Sequence, residues 1–194
     1  NAPERPAFYG AFGQFTPSDA VMLYGEIGSS SVSPNLESSS DPSVPFAAKK
    51  NSSREATALI GASYTFEDGT SLAAEYLHDG HGYTSAQEDA YFERAAATRA
   101  NAGLALGLQP RLLGRDYLHL VLQSNVMDEG GFWRLMYTHG FTDSGDELSA
   151  YAETVLSRHV TAFVTAVLPH GDARQELSSL YRNSVTVGLK FALP

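Results

Sequence analysis

Two histidines and an aspartate lie close together in the segment LHDGHGY, residues 77–83. Imidazole nitrogens and a carboxylate are ligands that suit a divalent transition metal. The segment also lies where an alternating apolar strand pattern runs into a polar loop, and glycine and polar residues are ordinary at such a boundary. We therefore predict no functional metal at His78, Asp79 and His81, and no cofactor in the chain.

Composition removes several other kinds of chemistry. The 194 residues include no cysteine, which excludes disulfides, thiolate metal sites and a cysteine nucleophile. A net charge of -9 argues against a nucleic-acid partner, because phosphates attract Lys and Arg. Hydrophobic residues form 43% of the chain but are scattered, and no run approaches the roughly 20 apolar residues of a membrane helix.

Alternation of apolar and polar residues is the dominant pattern, and it indicates strands with one apolar face. In the last segment every odd position from Val185 to Leu193 is apolar, whereas Ser184, Thr186 and Lys190 occupy even positions. The pattern recurs along the chain and predicts an all-β protein. The nine predicted strands are 7–15, 20–28, 55–66, 70–79, 116–124, 132–141, 147–157, 159–169 and 184–193.

Connections between these strands alternate in length. Tight turns are predicted at 16–19, 67–69, 125–130 and 157–158, and polar loops at 29–54, 80–115, 142–146 and 170–183. Short turns at one rim and long loops at the other are typical of an antiparallel up-and-down transmembrane β-barrel. Within the second loop, Ala-rich residues 87–97 favour a short helix, and 102–109 is assigned to the loop.

The last strand resembles the C-terminal β-signal of outer-membrane β-barrel proteins. Thr186 is the polar residue, Gly188 follows two places later, and Phe191 and Leu193 take the fifth and seventh places after Thr186. The family usually ends on an aromatic residue, whereas here Leu193 is followed by Pro194. The resemblance implies a bacterial outer-membrane location, with outer-membrane lipid and the barrel-insertion machinery as partners.

Hydrocarbon requires a paired backbone and outward apolar side chains, whereas the interior of a barrel accepts charge. An aromatic girdle at the short-turn rim is predicted from Phe15, Tyr64, Phe66 and Phe191. The opposite faces of the strands carry the charged and titratable residues that would line a pore. These are Glu26, Glu75, Asp79, His119, Arg134, Glu147, Glu153 and Lys190.

Acidic residues outnumber basic ones in this set, which favours a mild preference for cations. In the alternative interpretation the charges pair with one another, for example Glu153 with Lys190, and merely hydrate a packed interior.

Enzymatic activity is not predicted. Outer-membrane phospholipases of the barrel class place a His and a Ser two residues apart on the outward face, because nucleophile and base must touch. The residues two places after the strand histidines His119, His139 and His159 are instead Val121, Phe141 and Thr161.

Three functions remain. We expect a passive or gated porin-like channel, and the main alternative is a non-conducting barrel that sheathes or docks another protein. A soluble lipocalin-like barrel is disfavoured, because its interior would then be lined by small residues. Those residues are Ala56, Ala58, Ala150, Ala152, Ala162 and Ala166.

Strand parity predicts an incomplete ring. Bacterial barrels usually have an even number of strands with both termini periplasmic, and nine strands break this rule. We therefore expect the chain to be part of a larger barrel, with missing strands or another chain beside it. Segment 7–15 should have a free or partner-filled edge and no ladder to 184–193.

Overall fold

A computed structural model describes residues 7–31, 36, 39–46, 53–97, 112–179 and 182–192. These residues form an all-β antiparallel up-and-down sheet of nine strands, as predicted. The strands are β1 Tyr9–Ser18, β2 Val21–Ser30, β3 Glu55–Thr65, β4 Ser71–Asp79, β5 Asp116–Gln123, β6 Gly131–Gly140, β7 Asp146–Ser157, β8 Val160–His170 and β9 Ser184–Phe191. Two helices, α1 Ser85–Ala97 and α2 Glu176–Ser179, lie in the long loops after β4 and β8.

Each strand pairs with its neighbours in sequence, from β1 to β9. Within the described residues β1 pairs with β2, β9 pairs with β8, and no ladder joins β1 to β9. The sheet is therefore open, with the free edge that the sequence predicted. Every residue of β1 is exposed, and Phe12 reaches 88% exposure.

The predicted bounds of the first two strands differ from the observed bounds by one to three residues. The structure has β1 at Tyr9–Ser18 and β2 at Val21–Ser30, where 7–15 and 20–28 were expected. The pairing register shifts between Phe15 and Ser18, so the strand continues past an irregularity. Pro17 lies inside it, and proline has no N–H to donate to a ladder.

The predicted helix in the second loop is present and begins two residues earlier, at Ser85. Thr84 precedes it, and its backbone N–H donates to Gln87 Oε1 at 2.9 Å. This is the reciprocal half of a capping box, which satisfies a free donor at the helix start. Segment 102–109 lies outside the described residues, as do Leu193 and Pro194.

The sheet has one apolar and one polar face, since successive strand side chains point to opposite sides. On the apolar face the large side chains of the central strands are exposed. They include Leu23, Ile27, Ile60, Leu72, Trp133, Leu135, Leu148, Val164 and Leu168. Polar-face positions alternate with these and are mostly half-buried.

The most buried cluster lies in the long loops rather than in the sheet. Leu36, Phe46, Tyr83 and Tyr91 form it. Arg94 on α1 lies over the Phe46 ring at 5.0 Å and donates hydrogen bonds to three backbone carbonyls between residues 39 and 44. We call this assembly the rim cap: residues 36 and 39–46, α1, the β6–β7 turn 141–145, and α2. Neither α1 nor α2 is long and apolar enough to span a membrane.

Candidate functional site: the polar face and its rim cap

One row of directly paired residues crosses the polar face from β2 to β8. The row, which we call the polar belt, is Tyr24, Gly61, Glu75, His119, Thr138, Glu147 and Pro169. It brings three of the predicted pore-lining residues, Glu75, His119 and Glu147, to one level of the sheet. Sequence alternation placed them on one face, and the strand register aligns them.

Hydrogen bonds link the belt across strands. The Tyr24 hydroxyl donates to Glu75 Oε1 at 2.5 Å, reaching over the intervening strand β3. Gly61 makes this reach possible, because a Cβ at that position would overlap the Tyr24 ring. His119 Nδ1 and Thr138 Oγ1 lie 2.9 Å apart on the next strand pair. Glu75 and His119 of the belt therefore each have a fixed hydrogen-bond partner on another strand.

A pocket of about 250 Å³ lies between the belt and the rim cap. Its lining combines the belt's polar groups with apolar side chains from the row above and from the loop before β5. The lining residues are Leu59, Glu75, Leu77, Leu112, Tyr117, His119 and Thr138. One carboxylate and one imidazole in an otherwise apolar wall suit a small polar or cationic solute.

Lys190 and Glu153 form an ion pair, with Nζ and Oε2 separated by 2.5 Å. Lys190 Nζ also lies 2.6 Å from the Tyr151 hydroxyl, and above the rings of Tyr151 and Phe163 at 5.3 and 5.6 Å. For this pair the interpretation in which charges neutralise one another is therefore confirmed.

The remaining predicted pore-lining residues are dispersed. Arg134 Nε donates to Gln123 Oε1 at 2.8 Å. Asp79 accepts hydrogen bonds from Thr57 Oγ1 and from the backbone N–H of residue 81, so it structures the end of β4. Glu26 is exposed and pairs in register with Phe12 on the edge strand.

The β-signal residues divide between the two faces. Thr186 and Gly188 lie on the polar face, whereas Phe191 lies on the apolar face at 67% exposure; Leu193 is outside the described residues. Packing alone can explain the glycine at position 188, because a Cβ there would lie 2.5 Å from Cζ of Phe163.

The four residues predicted for an aromatic girdle are all exposed near the short turns. Phe15 is 64% exposed, Tyr64 44%, Phe66 43% and Phe191 67%. Tyr64 and Phe66 also contact each other edge to face, with ring centroids 4.8 Å apart.

The side chains of the 77–83 segment do not converge. His78 Nδ1 lies 2.7 Å from Asp116 Oδ1 on the apolar face, and His81 Nε2 lies 3.0 Å from the backbone oxygen of Ser30. Asp79 lies on the polar face with the contacts given above. In the part of the chain that the structure describes, no three His, Cys, Asp or Glu residues form a group that could hold a metal ion.

A repeated arrangement on the apolar face was not anticipated. At the long-loop end, Tyr76 and His78 both contact Asp116 Oδ1, at 2.6 and 2.7 Å. Tyr137 and His139 contact Asp146 Oδ1 in the same way, at 2.5 and 2.7 Å. The signal was a Tyr-x-His sequence followed by a strand that begins with Asp, which occurs at Tyr76–His78 and at Tyr137–His139; the strand after the third Tyr-x-His, Tyr117–His119, begins with Gly131. Tyrosines with a satisfied polar end suit a boundary between apolar and wet surroundings.

Three carboxyl groups meet where the rim cap contacts the sheet, and no pattern in the sequence predicted this. Glu88 comes from α1, Asp143 from the β6–β7 turn and Glu176 from α2. Asp143 accepts the N–H of Gly145 at 2.9 Å and that of Glu176 at 2.5 Å. The Tyr117 hydroxyl, on β5, donates to Glu176 Oε2 at 2.5 Å.

Burial, together with the charges of Asp143 and Glu176, raises the pKa of Glu88 to about 9. Burial likewise raises the pKa of Glu176 to about 7, although its hydrogen bond from Tyr117 opposes the shift. Glu88 is only 2% exposed and Glu176 only 4%. This cluster therefore holds a proton near neutral pH.

Comparison of the chain with protein-family models, with curated proteins and with solved structures finds no match.

Proposed function

We propose that the chain is part of a bacterial outer-membrane β-barrel channel. The apolar face contacts lipid, the polar face lines the path of small solutes, and further strands or another chain complete the ring. The observation that carries this proposal is the exposure of large apolar side chains on the apolar face of every strand except β5. Among the described strand residues of the polar face, large exposed apolar side chains are confined to Phe12 on the edge strand and Val155 beside a short turn. A water-soluble sheet would bury the apolar face against a second layer.

Strand length supports the proposal. The nine strands contain 8 to 12 residues, and a tilted transmembrane strand needs about 9–11. All backbone groups between β2 and β8 have strand neighbours on both sides, which is the condition for backbone in hydrocarbon. The rim cap then narrows the entrance at the long-loop end.

Lipid contact can be tested with the single tryptophan of the chain. Trp133 is 38% exposed on the apolar face. We expect phospholipids brominated on their acyl chains to quench its fluorescence strongly in reconstituted vesicles, because the indole is in contact with lipid.

The control moves the tryptophan one residue along β6, in the double variant Phe132→Trp, Trp133→Phe. Residue 132 lies on the polar face, where its ring is 6.2 Å from that of Tyr151. Quenching should fall sharply in this variant. Equal quenching in the two proteins would contradict the assignment of the apolar face to lipid.

Solute preference follows from the charges left after the Glu153–Lys190 pair is set aside. Glu75 and Glu147 remain on the belt, with Arg134 as the nearby basic residue. We expect the double variant Glu75→Gln, Glu147→Gln to lower the cation-to-anion permeability ratio towards one, measured as a reversal potential across a salt gradient.

The matched control is Glu67→Gln, Asp68→Asn, which removes the same two charges from the short turn between β3 and β4. Its permeability ratio should stay at the wild-type value. A shift as large as that of the belt variant would assign the selectivity to overall charge and not to the belt.

A second candidate is a non-conducting docking barrel. It is favoured by the rim cap, which packs over the polar face and covers Tyr117 to 3% exposure. Lipid quenching of Trp133 without any conductance of the reconstituted protein would select this function over the channel.

A further inference from the structure

The junction between the rim cap and the sheet contains three acidic groups, Glu88, Asp143 and Glu176, and no described Lys or Arg forms an ion pair with any of them. A pocket of about 540 Å³ lies at this junction, and Glu88, Asp143 and Arg174 are among its lining residues. The Arg174 guanidinium, however, pairs with Glu93 at 3.0 Å. Three ionised carboxylates at this junction would repel one another.

Two of the three carboxylates are stabilised as anions. Asp143 accepts the two backbone N–H bonds given above, and Glu176 accepts the N–H of Leu113 at 2.9 Å as well as the Tyr117 hydroxyl. Hydrogen bonds to the charged form favour ionisation. Protonating one of the three groups relieves the repulsion, and protonating Asp143 or Glu176 would weaken the hydrogen bonds that these two carboxylates accept.

Glu88 is in the opposite situation. Its carboxyl oxygens are out of reach of water, and within the described structure no hydrogen-bond donor contacts them; the neighbouring polar group is the Asp143 carboxyl, which is itself an acceptor when ionised. An ionised carboxylate in such surroundings carries a large desolvation cost, and the protonated form avoids it. Protonation also gives Glu88 an O–H that can be donated to the neighbouring Asp143.

Beside these three carboxyl groups, hydrogen bonds join α1 and α2 to the β6–β7 turn. Ser85 at the start of α1 donates to the backbone oxygen of Thr142 at 2.5 Å, and Gln175 Nε2 donates to that of Asp143 at 2.7 Å. Charge at Glu88 therefore acts on the contacts that hold α1 against the β6–β7 turn and α2.

We propose that a proton on Glu88 latches α1 to the β6–β7 turn and α2 within the rim cap, and that loss of this proton at alkaline pH releases α1. The latch is a property of the cap itself; only its effect on solute passage rests on the proposed channel.

The raised pKa of Glu88 fixes the direction of the pH dependence. The stabilisation is fully present below the ordinary pKa of 4.5 and is lost as pH rises towards about 9. Glu176 acts in the same direction, but only up to its pKa of about 7. Between about pH 7 and pH 8.5, therefore, Glu88 alone sets the slope.

The other charged and titratable groups at the junction are few. Asp89 and Tyr91 face the cluster from α1, Asp143 from the β6–β7 turn, Glu176 from α2 and Tyr117 from β5. Asp172 and Arg174 border the pocket from the β8–β9 loop.

The test is hydrogen exchange of the full chain in detergent micelles, with rates corrected for the intrinsic effect of pH. Protection of the α1 amides should fall about tenfold per pH unit between about pH 7 and pH 8.5, because one proton is linked to release. Glu88→Gln keeps the shape of the side chain without an ionisable group and should show no fall in this interval. Glu67→Gln, which removes one carboxylate from the short turn between β3 and β4 and leaves every contact of the cap in place, should keep the wild-type slope.

Identical slopes in wild type and Glu88→Gln would overturn the latch. Recovery of α1 protection at alkaline pH by millimolar Ca²⁺, in wild type but not in Glu88→Gln, would also overturn it, because the cluster would then be held by a cation. A wild-type fall in protection that is absent from Glu88→Gln supports the latch. If conductance then shows no rise over the same interval, the latch still stands and the channel proposal fails.

Discussion

The double variant Gly188→Asp, Phe191→Asp should not insert into the membrane. Phe191 projects from the apolar face at 67% exposure, so Asp at that position would bring a charge into lipid. Gly188 lies under the ring of Phe163, and an Asp Cβ there would lie 2.5 Å from Cζ of that ring, disturbing the pairing of β8 with β9. The measurement is the fraction of protein that becomes protease-resistant and heat-modifiable on gels after assembly.

Thr186→Asp is the matched control, because it places the same charge on the polar face of the same strand, opposite Thr165. It should insert at close to the wild-type level. Normal insertion of the double variant would mean that the similarity to a β-signal is accidental and that β9 does not meet lipid.

Val164→Arg is expected to cost roughly 2–4 kcal/mol of unfolding free energy in the membrane, the cost of a lipid-facing basic residue near the bilayer midplane. Val164 lies on the apolar face in the middle of β8, between Ala152 and Val187 of the adjacent strands. Urea unfolding in lipid vesicles measures the loss.

Thr165→Arg is the control variant, because Thr165 is one residue along the same strand but lies on the polar face. Thr165 lies between Tyr151 and Thr186, where an Arg side chain extends away from lipid. Its cost should be much smaller. Equal losses at residues 164 and 165 would reverse or abolish the assignment of the two faces.

The sheet could be predicted from the sequence because period-two alternation is a local property. Eight of the nine strands begin and end within two residues of the predicted positions, from the β2 strand Val21–Ser30 to the β9 strand Ser184–Phe191. The pairing of Glu153 with Lys190 was also within reach, since both lie on the same face of strands close to each other. The edge strand was harder, because Phe8 and Phe12 are apolar residues at positions where the alternation calls for polar ones.

The rim cap could not be predicted in the same way. Its core residues Leu36, Tyr83 and Tyr91 come from loops without any period, and they meet only because the strands fix the loop ends. Glu88 and Glu176 each look like ordinary solvated acids in polar segments. Only the burial of both groups beside Asp143 gives them their altered pKa values, and burial of loop residues has no signature in sequence.

The contacts of the rim cap also bear on the order in which the protein folds. Strand neighbours are adjacent in sequence, so the sheet can grow by adding one strand at a time. The cap instead joins residues far apart along the chain: Arg94 and Asp41 are 53 positions apart, Leu113 and Glu176 63, and Glu93 and Arg174 81. Closing such long loops carries an entropic cost before any contact is gained. The cap is therefore the last part to assemble, and the chain stays uncapped until β8 has brought α2 into place.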